Sequence, residues 1–374
     1  MLVMKNLRYF YENPPQISKI IARKNSVSSP KTIIYGCLGS GKSAVLFDYL
    51  SNFKKEEILY INFADLRYKF SSHSDEFDKI FEFLRQNSQI SALFLDNLNE
   101  ISSTQISNLQ NLSNLPNLQN IIISTRKSSL NLVGFAKLKI SPLCFEEFIA
   151  FDKKRTEINA IISAFFLQNA SVASSFLTPS EVVIAEQNLL LANLNSHEIA
   201  ILKECCAFVA APFSANKIYR NLKEQMRISK DSVYGAVAKF EDENLINLIP
   251  KFGDEKAAKR MFFSNFNLKE ALEFKKDFSK KFINALYCEL ANLNEPIFYT
   301  KELDFYLSSR NLGVLAIPFS ANEIVFLRFK KIFAELRRLK ITRLSVISMA
   351  NSGSLEIEGI KCEITPFPQF ALGL

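Results

Sequence analysis

Glycine is scarce in this sequence, with ten residues in a chain of 374. Histidine is scarcer, with two residues, and the six cysteines form no CxxC pair, which argues against a zinc site and for reduced, structural cysteines. No apolar run reaches the roughly 18 residues that a membrane-spanning helix requires. The first ten residues lack the uninterrupted apolar core of a signal peptide, so we expect a cytoplasmic protein without membrane contact.

Positive charge is in modest excess, with a formal net charge of +8 and a pI near 9.0. The excess is spread along the chain and forms no basic tail, which makes it a weak argument for nucleic-acid binding. With 48% hydrophobic residues, a chain of this length can bury more than one core. We therefore expect a globular protein of several domains.

Three of the ten glycines lie close together in GCLGSGKS, at residues 36–43. The spacing matches the P-loop pattern GxxxxGK[ST], in which backbone N–H groups surround a nucleotide's phosphates in a turn that bulky side chains resist. The predicted binding residues for ATP and Mg²⁺ are Gly36, Cys37, Leu38, Gly39, Ser40, Gly41, Lys42 and Ser43. In this pattern Lys42 reaches the β- and γ-phosphates and Ser43 ligates Mg²⁺. A simple glycine turn between a strand and a helix is the alternative.

The flanks of the loop fit the motif. An apolar, β-branched run at 32–35 predicts a buried strand, and helical periodicity follows the loop. Further strands are predicted at 58–62, 92–95 and 120–125, alternating with helices. This order predicts an α/β fold of the P-loop NTPase type, with a parallel sheet, helices on both faces and ligands at the carboxyl ends of the strands.

Two of these strands end in polar residues that suit nucleotide chemistry. Asp96 closes the third strand, where P-loop ATPases place the carboxylate that holds Mg²⁺ through water. Ser124 and Thr125 end the fourth strand, where a hydroxyl could touch the γ-phosphate or the attacking water. A turn residue at Asp96 and a strand cap at Ser124 and Thr125 are the alternatives.

Four segments carry a more specific resemblance. They are YINFADLR at 60–67, LFLDNLNEI at 93–101, NIIISTRKSSL at 120–130 and ISPLCFEEFIAF at 140–151. Together they resemble successive motifs of a family of prokaryotic AAA-type ATPases, in which a PLSF-like segment ends the ATPase core. Members of that family continue with a winged helix and a restriction-endonuclease-like domain of the PD-(D/E)xK type.

The resemblance and the element pattern together predict four domains. These are a P-loop AAA-type ATPase domain at 1–150, a helical lid or connector at 151–195, a winged helix at 196–265 and a small α+β endonuclease-like domain at 266–374. Winged helices bind DNA or dock proteins, and both roles stay open here.

The ATPase motifs depart from the family in two places. The family's glutamate that polarises the attacking water falls on Asn97, and an amide positions water but cannot act as a base. Either hydrolysis is slow, or another carboxylate such as Glu100 substitutes, or the protein is a nucleotide-gated switch. The arginine before the PLSF-like segment is missing, with Lys137 or Lys139 as the nearest cation. Arg126 is a candidate γ-phosphate sensor or intersubunit finger, although we favour an exposed loop arginine.

The predicted winged helix offers a candidate DNA-reading surface. Ser229 or Asp231 would cap its third helix. The outward and wing residues are Ser232, Tyr234, Lys239, Lys251, Lys256, Lys259 and Arg260. The acidic run Glu241, Asp242 and Glu243 interrupts this surface.

The C-terminal domain retains one acid of the nuclease pattern that the resemblance implies. Asp304 matches the metal-binding aspartate, whereas the helix glutamate falls on Ile283 and the ExK pair on Ala316 and Pro318. One carboxylate cannot hold a catalytic Mg²⁺, so we expect no nuclease activity. A basic cluster follows, formed by Arg328, Lys330, Lys331, Arg337, Arg338, Lys340 and Arg343, which could track phosphates or be a solvated helix face.

These observations predict an ATPase of the AAA type that couples Mg-ATP binding or slow hydrolysis to a partner, with Lys42, Asp96, Asn97 and Thr125 as catalytic residues. The alternative is a nucleotide-gated DNA-binding or adaptor protein with negligible turnover. DNA, a protein partner and a second copy of the chain are the candidate partners besides ATP.

Overall fold

A computed structural model of the chain describes residues 2–16, 22–69, 76–152, 155–168 and 177–374. Part of the predicted connector at 151–195 lies outside the described residues. Among the helices described, none is both long and apolar enough to cross a membrane.

Two compact units make up the chain. The first comprises Met1–Ile140 together with the short segment Asp242–Asn244, and the second comprises Ser141–Glu241 and Leu245–Leu374. The first unit thus ends its main stretch before the predicted boundary at residue 150. The finer division into four domains stays a prediction.

The first unit is a parallel sheet covered by helices. Its strands are β1 (Lys31–Tyr35), β2 (Ile58–Asn62), β3 (Ala92–Asp96), β4 (Asn120–Thr125) and β5 (Ala136–Lys139), in the order β2-β3-β4-β1-β5. All four pairings are parallel. Its helices are α1 (Leu2–Glu12), α2 (Lys42–Leu50), α3 (Leu66–Lys69), α4 (Glu76–Gln86) and α5 (Ser103–Leu112). The α/β class and the four predicted strands are confirmed, while β5 was not predicted.

Both faces of this sheet are buried. Successive residues of a strand point to opposite faces, so Ile33 joins the apolar cluster that contains Leu7 of α1 and Ile80 of α4. Its neighbour Ile34 joins a second cluster with Leu46 of α2. This two-sided burial is why the strands are continuous apolar runs.

The rest of the described chain is mixed. Its helices are α6 (Phe145–Phe151), α7 (Ile158–Gln168), α8 (Pro179–Asn193), α9 (Ser196–Cys205), α10 (Ala215–Lys223), α11 (Lys230–Asp242), α12 (Leu268–Leu272), α13 (Phe278–Ala291), α14 (Asn322–Arg338) and α15 (Phe367–Leu372). Its strands are β6 (Ile246–Ile249), β7 (Arg260–Phe263), β8 (Phe305–Leu307), β9 (Leu312–Ala316), β10 (Arg343–Ser348), β11 (Gly353–Ile357) and β12 (Ile360–Pro366).

The PLSF-like segment forms α6 and belongs to the second unit. The ring of Phe145 lies 5.2 Å from that of Phe165 and 5.6 Å from that of Phe367, both in edge-to-face geometry. These contacts place α6 in an aromatic core shared by α7 and α15.

Residues 196–263 form three α-helices followed by two strands. Helices α9, α10 and α11 precede the antiparallel pair β6 and β7. Of the two predicted caps for α11, Ser229 is the one present, since its Oγ accepts a hydrogen bond from the N–H of Ser232 at 3.0 Å. The winged-helix identity of this segment stays a prediction.

The C-terminal sheet has five strands in the order β11-β12-β10-β9-β8. Strand β10 is parallel to both of its neighbours, and the two outer pairs are antiparallel. Three strands follow α14. Glu358 and Gly359 both adopt positive φ, which makes a tight hairpin turn between β11 and β12.

Candidate nucleotide-binding site

The loop between β1 and α2 depends on its glycines. Gly39 and Gly41 have φ of 74° and 90°, a conformation that side chains with a Cβ rarely adopt. A Cβ on Gly36 would lie 2.0 Å from the carbonyl oxygen of Ile140. Since Gly41 is the N-cap of α2, the helix begins at the loop and presents its N-terminus there.

Lys42 lies inside this loop and is 7% exposed. Its Nζ donates hydrogen bonds to the carbonyl oxygens of Gly36, at 3.1 Å, and Cys37, at 2.8 Å. Burial lowers the pKa of Lys42 to about 8. A cation held by neutral carbonyl groups at this position is suited to binding phosphate oxygens, which would offset its cost of burial.

The carboxylate of Asp96 accepts hydrogen bonds from several residues of the site. Ser43 donates from Oγ to its Oδ1 at 3.0 Å, and the N–H of Asn97 donates to the same oxygen at 3.0 Å. The Oγ of Ser124 also donates to Oδ1, and the hydroxyl of Tyr60 donates to Oδ2 at 3.0 Å. These donors come from β2, β4 and the start of α2, so Asp96 is held from several elements.

Tyr60 is a partner of Asp96 that sequence reasoning missed. Burial, with the Asp96 carboxylate beside it, raises the pKa of Tyr60 above its ordinary value. Its hydroxyl therefore keeps its proton and stays a donor to Asp96. The signal was weak, because an aromatic residue in an apolar strand is an ordinary core residue.

Asn97 adopts a left-handed backbone conformation, with φ of 59°. Its side-chain Nδ2 donates to Oδ1 of Asn62 at 3.0 Å, and its N–H also donates to Oγ of Ser124 at 2.9 Å. Asn62 ends β2 as Asp96 ends β3, and it too was missed. The carboxyl edge of the sheet thus presents two amides beside the buried carboxylate.

The last residue of β4 and the residue that follows it are both buried. Thr125 is buried, and its Oγ1 accepts a hydrogen bond from the N–H of Lys127 at 3.2 Å, which is the strand-cap contact. The expectation of an exposed loop arginine at Arg126 is wrong, because the residue is 9% exposed. Its Nε lies 3.4 Å from Oε2 of Glu243, in the short segment that completes the first unit.

The remaining candidates lie nearby or on the surface. Arg23, which sequence reasoning missed, donates from Nη1 to the carbonyl oxygen of Ser40 at 2.8 Å. Lys137 lies over the ring of Tyr35, with 4.9 Å from its Nζ to the centroid. Glu100 is exposed. Its role as a substitute base stays a prediction.

Comparison with known proteins agrees with this geometry. Residues 28–149 match the family described as AAA domain. This part of the chain is similar to AAA domains, and residues 28–149 are called the AAA domain from here on. It contains the loop, Asp96 and the end of β4.

The similarity to other proteins extends beyond the AAA domain. The chain is 24% identical over 394 aligned residues to an uncharacterized protein of Methanocaldococcus jannaschii, covering 91% of this chain and 88% of that protein. A Walker-type ATPase of Pyrococcus abyssi is similar over 72% of this chain and 94% of its own, with 13% identity and a TM-score of 0.42. AMPPCP-bound DnaA of Aquifex aeolicus is similar over 65% and 86%, with 16% identity and a TM-score of 0.31.

Asp304, outside the AAA domain, has partners that do not suit a metal. Its Oδ2 accepts the N–H of Ala316 at 2.9 Å, and its Oδ1 lies 3.8 Å from Nη1 of Arg260. Burial raises the pKa of Asp304. Within the described ranges, His, Cys, Asp and Glu form no group of three or more that could hold a metal ion.

Several predicted DNA-contacting cations already have partners within the second unit. Lys239 pairs with Glu198 at 2.8 Å and Lys251 with Asp254 at 3.0 Å. Arg260 lies over the ring of Tyr299, 4.3 Å from the centroid. The basic residues of α14 are exposed, and two of them pair with acids: Arg337 with Glu358 and Arg338 with Glu335. The candidate surface is therefore less positive than its composition suggested.

Proposed function

We propose that the AAA domain binds ATP with Mg²⁺ and hydrolyses it slowly. The observation that carries the proposal is the hydrogen bond between Ser43 and Asp96 beside the buried amine of Lys42. A hydroxyl and a carboxylate are oxygen ligands of the kind that Mg²⁺ prefers, so these residues fit the ion. When bound, Mg²⁺ neutralises charge on the β- and γ-phosphates.

The residues of this site have different roles in the proposed reaction. Lys42 neutralises phosphate charge, and the loop N–H groups orient the phosphates. Ser43 and Asp96 hold the cation, and Thr125 senses the γ-phosphate. Asn97 orients the attacking water without accepting its proton, which makes turnover slow.

ATP titration of the Lys42→Ala variant tests the binding. We expect a loss of at least about tenfold in affinity, because a charge-assisted contact to phosphate disappears. Lys55→Ala is the control, since Lys55 is exposed and lies beyond the end of α2. Unchanged affinity in Lys42→Ala would overturn the proposal.

Asn97 favours a second candidate function, a nucleotide-gated regulator or adaptor with negligible turnover. Steady-state phosphate release separates the two candidates. Asn97→Glu should raise turnover by about a hundredfold if the rest of the site is competent, since a general base contributes that much. Asn97→Gln is the matched control, because it lengthens the side chain equally at the same positive φ without adding a base. If the wild type releases no phosphate and Asn97→Glu turns over no faster than Asn97→Gln, the slow-ATPase proposal is wrong.

The exposed cations of α14 support DNA as the partner of either function. We propose that the winged-helix segment and the degenerate nuclease-like segment bind DNA without cleaving it. Mobility shifts at about 50 and about 200 mM salt test this, because phosphate contacts are lost steeply as salt rises. Lys330→Gln with Lys331→Gln should weaken the shift, whereas Lys5→Gln should not. If the mobility shift changes neither with salt nor in the α14 variants, DNA binding through α14 is contradicted and a protein partner is favoured.

A further inference from the structure

Arg126 and Glu243 form a buried ion pair inside the first unit. The distance from Nε to Oε2 is 3.4 Å, and the two side chains are 11% and 4% exposed. Arg126 follows β4 directly, whereas Glu243 belongs to the segment Asp242–Asn244. Desolvating both charges is costly, which makes such a pair a weak source of stability.

This pair lies at the phosphate end of the candidate site. Thr125 pairs in register with Tyr35, the last residue before the loop, so Arg126 begins beside the first loop residue. After burial, which has the largest effect, the charge of Arg126 lowers the pKa of Lys42 and that of Glu243 raises it. The charges of Arg126 and Glu243 therefore both act on the Lys42 amine, which would bind phosphate.

The segment Asp242–Asn244 contacts the chain after β4 through each of its residues. Asp242 accepts hydrogen bonds from Oγ of Ser128 at 3.0 Å and from the N–H and Oγ of Ser129 at 2.8 and 2.9 Å. Asn244 donates from Nδ2 to the carbonyl oxygen of Arg126 at 3.2 Å. The position of the segment is thus tied to the position of Arg126.

A γ-phosphate presents more negative charge and more acceptor oxygens to a guanidinium than a single carboxylate does. We propose that Glu243 and the γ-phosphate of ATP compete for Arg126, so that ATP binding opens the ion pair and loosens the segment Asp242–Asn244. ADP has no γ-phosphate and leaves the pair closed. This inference rests on the proposed function, since it assumes that ATP binds at the loop.

Glu243→Gln tests the competition, because it keeps the side-chain shape and removes the charge. Titrations with ATP and ADP should show ATP binding about tenfold more tightly than in the wild type, within the usual range for coupled sites, and ADP nearly unchanged. Glu241→Gln is the matched control, an exposed acid two residues away whose loss should leave both affinities as they are. In the Arg126→Gln variant, ATP and ADP should bind with similar affinities, because the guanidinium that would contact the γ-phosphate is gone.

The double variant decides whether Glu243 acts through Arg126. In the Arg126→Gln background, Glu243→Gln should bring no further gain in ATP affinity, since contacting residues are not additive. An equal gain in both backgrounds would mean plain removal of negative charge and would overturn the inference. No gain in either background would overturn it as well, while ATP binding by the wild type would leave the proposed function intact. A wild-type chain that binds neither nucleotide overturns both proposals.

Hydrogen exchange of the wild type gives a readout that needs no variant. The amides of 242–245 should exchange faster with a non-hydrolysable ATP analogue than with ADP, because the segment loosens. Equal exchange in the two complexes contradicts the inference even if Glu243→Gln fails to fold.

Discussion

The hydroxyl of Ser43 lies 3.0 Å from Oδ1 of Asp96, although 53 positions separate the two residues. Ser43 begins the helix that follows β1, and Asp96 ends β3. The carboxyl ends of parallel strands share one edge of the sheet, and β4 alone lies between β1 and β3. The topology of the sheet therefore brings the two motifs together.

Ser43→Ala should weaken ATP binding about tenfold in the presence of Mg²⁺ and little in its absence, because the variant loses an oxygen next to the cation. Titrations with Mg²⁺ and with a chelator measure the difference. Ser51→Ala is the control, since Ser51 lies past the other end of α2 and donates to the carbonyl oxygen of Asp48. Equal losses with and without Mg²⁺ would argue against Ser43 as a ligand.

Tyr60→Phe should lower the free energy of unfolding by about 1–2 kcal/mol, because a buried hydrogen bond to a carboxylate is lost. Mg-ATP affinity should fall several-fold as Asp96 becomes less well oriented. Tyr49→Phe loses a comparable hydroxyl, bonded to Oδ1 of Asn120, and should leave affinity unchanged. Denaturant unfolding and ATP titration measure the two effects, and matching affinities for both variants would rule out the positioning role.

Gly36→Ala should destabilise the first unit by about 1–3 kcal/mol and abolish ATP binding, since the new Cβ would overlap the carbonyl oxygen of Ile140. Gly235→Ala is the control in the interior of α11, where a Cβ meets nothing within 4 Å. It should stabilise the chain by roughly 0.5–1 kcal/mol, as alanine does in helices. Denaturant melts of the two variants should therefore shift in opposite directions.

Glu186 predicts a pH dependence in the second unit. Burial raises the pKa of Glu186 from 4.5 to about 7 in the folded chain, although a hydrogen bond with Asn265 opposes the shift. The folded state thus binds more protons than the unfolded state between these values, and stability falls as pH rises through that window. The loss is on the order of 3 kcal/mol when complete.

Glu186→Gln removes this titration. The variant should be more stable than the wild type at pH 8 and about equally stable at pH 5, as measured by urea unfolding at both values. Glu224→Gln, at an exposed position, should show the wild-type pH dependence. A stability difference between Glu186→Gln and wild type that stays constant with pH would show that the carboxyl is not buried in its neutral form.

The central strands of the AAA domain could be predicted because burial on both faces leaves an unbroken apolar run. The edge strand β5 could not, since its sequence AKLK is half exposed and carries two lysines. Strand β11, with the sequence GSLEI, carries a similarly weak strand signal. It lies at a sheet edge, where alternate side chains face water and weaken the apolar signal.

The candidate site was predictable where a backbone motif dictates it. The P-loop motif requires particular residue types at fixed spacing from Gly36 to Ser43. Asp96 could be inferred from its position at the end of an apolar strand. The burial of Arg126 was not predictable, because its partner Glu243 is far away in sequence and lies in an acidic run that resembles a solvated surface. Asn62 and Tyr60 were missed because nothing in their own segments distinguishes them from ordinary strand residues.

The first unit includes Asp242–Asn244, and this has a consequence for biosynthesis. A nascent chain cannot assemble the contacts of Ser128 and Ser129 with Asp242 until the ribosome has passed residue 244. A fragment that stops at residue 150 would lack them permanently and would leave Arg126 facing solvent or a foreign anion. The relative affinities of such a fragment for ATP and ADP should therefore differ from those of the full chain.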